Sequence, residues 1–409
     1  MLAATKALPH DRAPGPIADV PTAALALGGD YRALGVVRSL GRRGVPIWVL
    51  ASGDDRIAAF SRYTAGTTEW PEEDDERLDL LERLAIRNQH RLALFPSSDE
   101  AAVFVARHHR TLAPTFSLTT PPWEVLRWAY DKRRTHELAV AAGVEQPWTI
   151  CPRDRSDLER SDLRFPLVLK PAVKPVFNRF TAAKAWRADD RASLLQLYDE
   201  ACTLVDPRVL MVQELIEGDG GAQLSYAALA DSGRVLHSLV ARRTRQYPAD
   251  FGRASTFVET ITDPGVEEPS RRLITASDFT GLLEIEYKVR SSDGRPLLLD
   301  INPRVWGWHT LCGRAGVDFP WLLWLRLQRI DTPACEARPG VRWLRISTDL
   351  PTAVKEIARG RMPVRQYVAS LLSAHESAIF ARDDIWPGLI ELPLLARTLI
   401  RRIAWRKGI

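Results

Sequence analysis

The sequence predicts an α/β fold followed by an α+β fold, with a parallel-sheet N-terminal domain, a larger and mainly antiparallel domain, and a helical C-terminal extension. A length of 409 residues with 45% apolar residues fits a globular protein of two or three domains. Strand-like and helix-like runs alternate as far as about residue 120, whereas several strand-like runs after Pro121-Pro122 are joined by hairpin turns. The predicted divisions are a flexible arm (1–21), the α/β domain (22–122), the α+β domain (123–335) and a basic helical extension (336–409).

In the α/β domain, residues 23–28 form an apolar run that leads into Gly29-Asp30, and apolar residues then recur at helical spacing up to residue 40. A second apolar run starts after Gly44, which predicts a strand, a crossover helix and a parallel strand. The turn after the first strand lies at the carboxyl edge, where such sheets bind ligands. Because its glycines do not fit G-x-G-x-x-G, we interpret it as a tight turn and not as a dinucleotide site.

The first helix of the α+β domain begins with a cluster of positive charge. Asp131 is the predicted N-cap, and Lys132, Arg133 and Arg134 follow in the first turn. Exposed amides and the helix dipole favour anions at this end, so a phosphate could bind here. The alternative is that these side chains extend into solvent.

A second lysine ends a predicted strand. The apolar run of residues 165–169 leads to Lys170, which is followed by Pro171. The loop that comes next is polar, and its side chains could close over phosphates or form structural ion pairs; they are Lys174, Asn178, Arg179 and Lys184.

Two carboxylates face each other across a predicted hairpin. A three-residue loop at 292–294 sets Glu286 opposite Asp300 and Glu284 opposite Asn302. Like charges in this position destabilise a sheet, so a cation is expected between them. Lys288 or Arg304 could supply it, but two carboxylates with an amide oxygen also suit Mg²⁺.

These motifs, taken in order, resemble the ATP-grasp superfamily. They are Asp131-Lys132 at a helix start, the strand ending in Lys170, the strand VQELIEG (212–218), and the upstream Glu286 with Asp-Ile-Asn-Pro-Arg (300–304). The resemblance covers residues 22–330 and implies a pre-ATP-grasp domain followed by a two-lobed ATP-grasp fold. It also implies a Mg²⁺- and ATP-dependent carboxylate-amine ligase.

The resemblance further implies a role for individual residues. The residues that would contact ATP are Lys132, Lys170 and Lys184 at the phosphates, Gln213, Glu214 and Ile216 at the adenine, and Asp219 at the ribose. Those that would hold Mg²⁺ are Glu286, Asp300 and Asn302. The candidate catalytic residues are Arg304, which would face the transferred phosphate, and Arg242, Arg243 and Arg245, one of which would stabilise the anionic intermediate.

The chain departs from the superfamily in its lid. Members usually carry a glycine-rich loop after the position of Lys170, but no glycine occurs here between Gly143 and Gly218. Side chains of the polar loop could take the place of the missing backbone contacts. Asp300 also stands where Glu is more common, and this shorter carboxylate should still bind Mg²⁺.

In the implied reaction, a substrate carboxylate attacks the γ-phosphate of ATP, and an amine then displaces phosphate from the acylphosphate. His309 could deprotonate that amine or could be a hydrogen-bonded structural histidine. Trp306, Trp308 and Arg314 could line the acceptor pocket. The alternatives are a carboxylase or phosphotransferase on the same fold, or a non-catalytic nucleotide-binding protein associated with a membrane.

Charge and cysteine usage exclude several classes of partner and location. Lys and Arg number 56 against 51 Asp and Glu, and a net charge of +5 is too small to predict nucleic-acid binding. The four cysteines are far apart and form no C-x-x-C pair, so we expect reduced thiols and a cytoplasmic location. No apolar stretch reaches 18 residues, and the N-terminus lacks the apolar core of a secretory signal.

The end of the chain predicts an amphipathic basic helix. Leu395, Leu399, Ile400 and Ile403 share one face, beside arginines and between Trp386 and Trp405. Such a helix could make peripheral contact with the inner face of a membrane, or it could pack on the protein. The expected partners are small-molecule carboxylates and amines, with a homodimer as a further option.

Overall fold

A computed structural model describes residues 20–53, 55–88, 91–159, 162–173, 178–183, 185–218, 220–247 and 254–406, with side chains as far as residue 397. Several predictions lie outside the described residues: the arm up to residue 19, Lys174 and Lys184 of the proposed lid, and Asp219. In the part of the chain that is described, the strands form sheets of five, seven and four strands, which we call the N-terminal, large and small sheets.

The N-terminal sheet is parallel, with strand order β3-β2-β1-β4-β5, as the alternation of strands and helices predicts. Its strands are β1 (Ala23–Leu27), β2 (Ile47–Ala51), β3 (Thr64–Glu69), β4 (Leu92–Pro96) and β5 (Phe116–Leu118). Its helices are α1 (Tyr31–Gly41), α2 (Asp74–Asn88), α3 (Asp99–Arg107) and α4 (His109–Leu112).

The turn from β1 to α1 is filled by protein. Gly28 has a φ of 113°, and a Cβ atom there would lie 2.2 Å from the Ser97 hydroxyl oxygen. A Cβ atom at Gly29 would lie 2.2 Å from the carbonyl oxygen of Asp55. The side chain of Asp30 caps α1 by accepting from the amides of Arg32 and Ala33. The interpretation as a tight turn is therefore confirmed.

Two helices, α5 (Trp123–Tyr130) and α6 (Lys132–Ala141), lead into the small sheet. Asp131 caps α6 as predicted, because its side chain accepts from the Arg133 amide. The small sheet is antiparallel with order β6-β9-β7-β8. Its elements are β6 (Thr149–Ile150), β7 (Leu167–Pro171), α7 (Arg179–Ala183), β8 (Trp186–Ala188), α8 (Arg191–Cys202) and β9 (Leu210–Glu214).

The large sheet has the order β14-β13-β10-β11-β12-β15-β16 and is antiparallel except for its last pair. Its strands are β10 (Gln223–Asp231), β11 (Arg234–Tyr247), β12 (Ala254–Ile261), β13 (Gly281–Val289), β14 (Pro296–Asn302), β15 (Arg342–Leu344) and β16 (Glu376–Ser377). The remaining helices are α9 (Pro264–Ala276), α10 (His309–Ala315), α11 (Phe319–Leu327), α12 (Ile346–Ala358), α13 (Val364–Leu372) and α14 (Trp386–Arg406).

The C-terminal extension is helical as predicted, but it also completes the large sheet. β15 pairs with β12, with Phe257 opposite Leu344, and β16 pairs with β15. Strands of two or three residues are too short to show an alternating pattern, so the sequence did not reveal them. One hydrophobic core joins α1 to this region, since Leu34, Trp306 and Trp343 belong to the same buried cluster.

α14 combines a docked side with an exposed one. Leu394 packs against the core and Glu391 is buried, whereas Leu389 and Leu392 are 58% and 73% exposed. Leu395, placed on the predicted apolar face, is also exposed. In the part of the chain that the structure describes, no helix is both long enough and apolar enough to span a bilayer.

Candidate functional site

The hairpin of β13 and β14 brings the predicted carboxylates together. Glu286 lies opposite Asp300, and Glu284 lies opposite Asn302, which confirms the predicted register. The predicted three-residue loop is wrong. The Arg290 amide donates to the Arg295 carbonyl at 2.9 Å, so the loop consists of the four residues 291–294, and the Gly294 amide donates to the Arg290 carbonyl at 2.8 Å within it.

The register is restored by a bulge. Tyr287 pairs with Leu298 while Glu286 pairs with Asp300, so Leu299 is the extra residue. Leu298 therefore lies on the opposite face from Asp300, in the core with Tyr287. On a strand without a bulge, these two residues would share a face. The bulge leaves the carboxylates on the side of the sheet that faces the clefts.

Two glutamates of the hairpin are buried around one guanidinium. Glu284 and Glu286 are 2% and 6% exposed, and Arg243 forms ion pairs with both. The amide nitrogen of Asn302 donates to Glu286 at 2.8 Å and to Glu284 at 3.2 Å. Burial raises the pKa of Glu284, and this effect outweighs the lowering by Arg243.

A second cation approaches the cluster from α6. The Lys132 ammonium lies 2.5 Å from a carboxylate oxygen of Asp300. Burial by itself lowers the pKa of Lys132, but nearby carboxylates, Asp300 first, outweigh it and leave that pKa above its ordinary value. Lys132 is therefore a charged group held at the first turn of a helix, next to the predicted metal ligands.

The three candidate arginines of β11 have separate surroundings. Arg242 is exposed, Arg243 is buried in the carboxylate cluster, and Arg245 pairs with Asp349 at 2.8 Å. The pairing with β12 shifts between Arg243 and Arg245, which leaves Thr244 as an extra residue. Because of this bulge, the two arginines do not share a face as residues two apart on a regular strand would.

A cleft of about 1010 Å³ lies between the small and large sheets. The predicted nucleotide residues that line it are Lys132, Lys170, Gln213, Glu214 and Ile216. The Lys170 ammonium donates to the Gln213 side-chain oxygen at 2.7 Å, and a carboxylate oxygen of Glu214 accepts from the Trp148 amide at 3.2 Å. We call this the nucleotide-side cleft.

A cleft of about 800 Å³ lies between the N-terminal helices and the large sheet. Arg304 lines it and is held by Asp99 at 2.7 Å and by the side-chain oxygen of Asn302 at 3.2 Å. The indole of Trp308 also lines it and donates to Glu284 at 2.9 Å. We call this the acceptor-side cleft.

The two clefts meet at the carboxylate cluster. Lys132, Glu286 and Asp300 line both of them. A molecule in either cleft would therefore reach the same charged groups, which is the arrangement that transfer of a group between two bound molecules requires.

His309 lies elsewhere. It is 2% exposed, one ring nitrogen lies 2.8 Å from the Trp306 carbonyl oxygen, and the other lies 2.3 Å from where a Cβ atom of Gly35 would be. Burial lowers the pKa of His309, and the residue lines neither cleft. These contacts fit the structural interpretation and not the role of a general base. Trp306 is likewise buried in the core, and Arg314 is exposed at the end of α10.

Sequence reasoning missed two contributions to the clefts. Asp99, at the start of α3, fixes Arg304 although the two are 205 residues apart. The C-terminal extension also contributes to the nucleotide-side cleft through Thr352, Glu356, Arg361 and Met362. Neither contribution can be predicted from neighbouring residues in the sequence, because each depends on elements that only the tertiary fold brings together.

Comparisons with known proteins fit this geometry. A family model described as ATP-grasp in the biosynthetic pathway with Ter operon matches residues 206–348. The C-terminal section of the carbamoyl phosphate synthase large chain of Aquifex aeolicus is 23% identical over 197 residues, which are 46% of this chain and 34% of that protein. The chain thus spans about a third of the length of the curated relative it matches.

Solved structures with the same fold include an L-amino acid ligase from Bacillus licheniformis, with a TM-score of 0.61, 15% identity, and 79% of each chain covered. The biotin carboxylase domain of 2-oxoglutarate carboxylase from Hydrogenobacter thermophilus has a TM-score of 0.63 at 14% identity, covering 79% of this chain and 73% of that one. N5-carboxyaminoimidazole synthetase from Staphylococcus aureus has a TM-score of 0.60 at 13% identity, covering 83% of this chain and 86% of that one.

The three solved structures each cover about four fifths of this chain. They confirm the resemblance that the motifs predict, and the chain has the fold of the ATP-grasp superfamily, preceded by a parallel α/β domain.

Proposed function

We propose that the chain is an ATP-dependent carboxylate-amine ligase. The observation that carries this proposal is the meeting of two clefts at Lys132, Glu286 and Asp300. ATP would occupy the nucleotide-side cleft, and the carboxylate substrate would approach the γ-phosphate from the acceptor-side cleft. The L-amino acid ligase among the structural neighbours supports this reaction class.

In the nucleotide-side cleft, the ammonium groups of Lys132 and Lys170 would bind the phosphates. The strand end from Gln213 to Ile216 would flank the adenine, where buried Ile216 offers an apolar contact. Lys184 and Asp219, outside the described residues, stay predictions for the phosphates and the ribose. This arrangement uses positioning and charge, which suffice for phosphoryl transfer without covalent help from the protein.

The residues at the junction fit Mg²⁺. Within the described residues no three His, Cys, Asp or Glu side chains are gathered as a metal centre, and Mg²⁺ at ATP sites usually takes only one or two protein carboxylates plus phosphates. Glu286 and Asp300 would be those carboxylates. Asn302 turns its amide nitrogen to Glu286 and its oxygen to Arg304, so its side chain would rotate to offer the oxygen to the ion. When bound, the ion supplies charge neutralisation of the phosphates. The carboxylates of Glu284, Glu286 and Asp300 lie together at this junction, where Arg243 pairs with the two glutamates and Lys132 with Asp300.

Two steps complete the reaction. In the first, a carboxylate oxygen attacks the γ-phosphorus of ATP and the bond from that phosphorus to ADP breaks, which gives an acylphosphate. In the second, an amine nitrogen attacks the acyl carbon, the bond from that carbon to the phosphate oxygen breaks, and phosphate leaves. Arg243 and Arg304 line the acceptor-side cleft and would stabilise the anionic groups in both steps. The proton lost by the amine passes to the leaving phosphate or to water, since His309 lines neither cleft.

The proposed partners are small-molecule carboxylates and amines. Peripheral membrane contact through α14 and a homodimer stay predictions, and neither is needed for the reaction. The exposed Leu389 and Leu392 are the side chains that a membrane experiment would substitute first.

The test is a screen of carboxylate and amine pairs for Mg²⁺-dependent ADP release by the full chain, with mass spectrometry of the product. An amide product with stoichiometric ADP supports the proposal. A phosphorylated or carboxylated product with no amine consumed would contradict it. We expect Lys170→Ala to bind MgATP about tenfold more weakly or worse, while Lys355→Ala, on the exposed side of α12, serves as the matched control.

A further inference from the structure

The C-terminal extension forms part of the wall of the nucleotide-side cleft. Thr352 and Glu356 of α12, and Arg361 and Met362 in the turn to α13, line the same cleft as Lys170. These four residues follow the last motif of the resemblance by about fifty positions or more. Their side chains are therefore a feature of this chain that the superfamily motifs do not assign.

This part of the extension is firmly attached to the large sheet. Arg245 of β11 donates twice to Asp349 of α12, at 2.8 Å each, and Asp349 is fully buried. The hydroxyl of Thr256 on β12 donates to the same carboxylate at 2.7 Å. The Arg245 guanidinium also stacks 4.3 Å above the ring of Phe257 and 5.4 Å from that of Tyr367 on α13. The turn that follows α12 is thus held in place beside the cleft.

Within that turn, Arg361 has a defined orientation. Its guanidinium donates twice to Glu356, at 2.5 Å and 2.6 Å, in the two-point geometry that fixes an arginine fork. Arg359 lies 3.5 Å from the same carboxylate. The hydrogen bond and charge of Arg361, with a smaller contribution from Arg359, lower the pKa of Glu356. Arg361 is therefore the arginine that Glu356 holds at two points, while Arg359 lies beside the same carboxylate.

We propose that Arg361, oriented by Glu356, is a polyphosphate-binding residue that the C-terminal extension supplies to the nucleotide-side cleft. The inference rests on the proposed function, since it takes ATP as the occupant of that cleft. Glu356 occupies the Nε and Nη2 edge of Arg361, so a phosphate would be bound by the other edge of the planar guanidinium, which carries the remaining N–H groups. The chain also has a need for such a group, because no glycine is available between Gly143 and Gly218 for backbone contacts to the phosphates.

Arg359 provides a matched control. It belongs to the same turn and pairs with the same carboxylate, but it does not line the cleft. A loss of affinity caused by disturbing the turn, or by changing the charge near Glu356, would follow substitution of either arginine. A loss caused by missing phosphate contact would follow substitution of Arg361 alone.

The experiment measures binding of MgATP, MgADP and AMP to the full-length wild type, Arg361→Gln, Arg361→Lys and Arg359→Gln by isothermal titration calorimetry. We expect Arg361→Gln to weaken MgATP binding about tenfold, as loss of a charged hydrogen bond does. AMP binding should change less than about twofold, because AMP lacks the outer phosphates. Arg361→Lys should recover part of the affinity, and Arg359→Gln should match the wild type.

The outcomes separate this inference from the proposed function. Equal losses for ATP and AMP, equal losses for both arginines, or an unchanged affinity in Arg361→Gln would each overturn the role of Arg361 while leaving an ATP-binding enzyme. A wild-type chain that binds no MgATP would overturn the proposed function and this inference with it. Thermal unfolding of each variant, at an unchanged midpoint, shows that the compared proteins are equally folded.

Discussion

Two buried networks of arginines and carboxylates lie in different parts of the molecule. One is the carboxylate cluster at the junction of the clefts. The other joins α1 to the segment before α14, where Asp384, fully buried, accepts from Arg38 at 2.9 Å, from the Ser61 hydroxyl at 2.7 Å and from the Arg62 amide at 2.9 Å. We call this second network, completed by Arg42 and Asp383, the interdomain clamp.

The two networks differ in how their carboxylates are paired with arginines. In the clamp, hydrogen bonds from Arg42 hold the pKa of Asp383 well below its usual range, and each aspartate has its own arginine. In the carboxylate cluster, burial raises the pKa of Glu284, and one guanidinium serves two glutamates. In the clamp, one-to-one pairing stabilises the fold, whereas the cluster holds two buried glutamates on one guanidinium where the two clefts meet.

The largest effect on stability should come from the clamp. Asp384→Ala leaves the Arg38 guanidinium, which is 4% exposed, without its carboxylate, and loss of one partner of a buried pair lowers the free energy of unfolding by about 3–5 kcal/mol. Urea unfolding followed by circular dichroism measures this. Asp383→Ala, which removes a half-exposed pair, is the control and should cost no more than about 1 kcal/mol. Equal losses of unfolding free energy in the two variants would contradict the prediction that the buried pair stabilises the fold more than the half-exposed pair.

The next effect separates activity from stability. Glu286→Gln should lower ADP release at least about a hundredfold, the size seen when a preorganised electrostatic contact is lost. Its unfolding free energy should change less than that of Asp384→Ala, because Arg243 keeps Glu284 as a partner. A stability loss as large as that of Asp384→Ala, or full ADP release, would contradict the contrast between the two networks.

The features of the carboxylate cluster and its surroundings that the sequence predicts involve residues close to one another in the chain. The cap at Asp131, the strand that contains Lys170 and the pairing of Glu286 with Asp300 each depend on neighbours in the chain. The pairing was predicted with the wrong loop, and the bulge at Leu299 restored the same register. The loop has one residue more than predicted, and Leu299 adds one residue on the opposite strand, so the two offsets cancel.

The parts that could not be predicted depend on distant contacts or on single bulges. Arg38 and Asp384 are 346 residues apart, and no spacing rule joins them. The choice among the three arginines of β11 depends on the extra residue Thr244, which leaves no mark in the pattern of apolar residues. His309 was ambiguous for a related reason, because only the packing of α1 over it shows that it lies away from the clefts.

The smallest effect concerns pH and uses a carboxylate beside the clamp. Burial raises the pKa of Glu376 from 4.5 to about 7, although Arg42 and Arg38 lower it and Asp383 raises it. Between these values the folded state holds a proton that the unfolded state has released, so the free energy of unfolding should fall as the pH rises from about 4.5 to about 7 and level off above that.

Glu376→Gln removes this proton linkage and should flatten that part of the pH profile, making the variant relatively more stable at pH 8 than at pH 5 when each is compared with the wild type. Urea unfolding of both proteins across this range measures the difference. A wild-type profile that rises over the same interval, with Glu376→Gln unchanged from it, would mean that the clamp compensates Glu376 as fully as it does Asp383. The clamp would then extend to β16, the strand that contains Glu376.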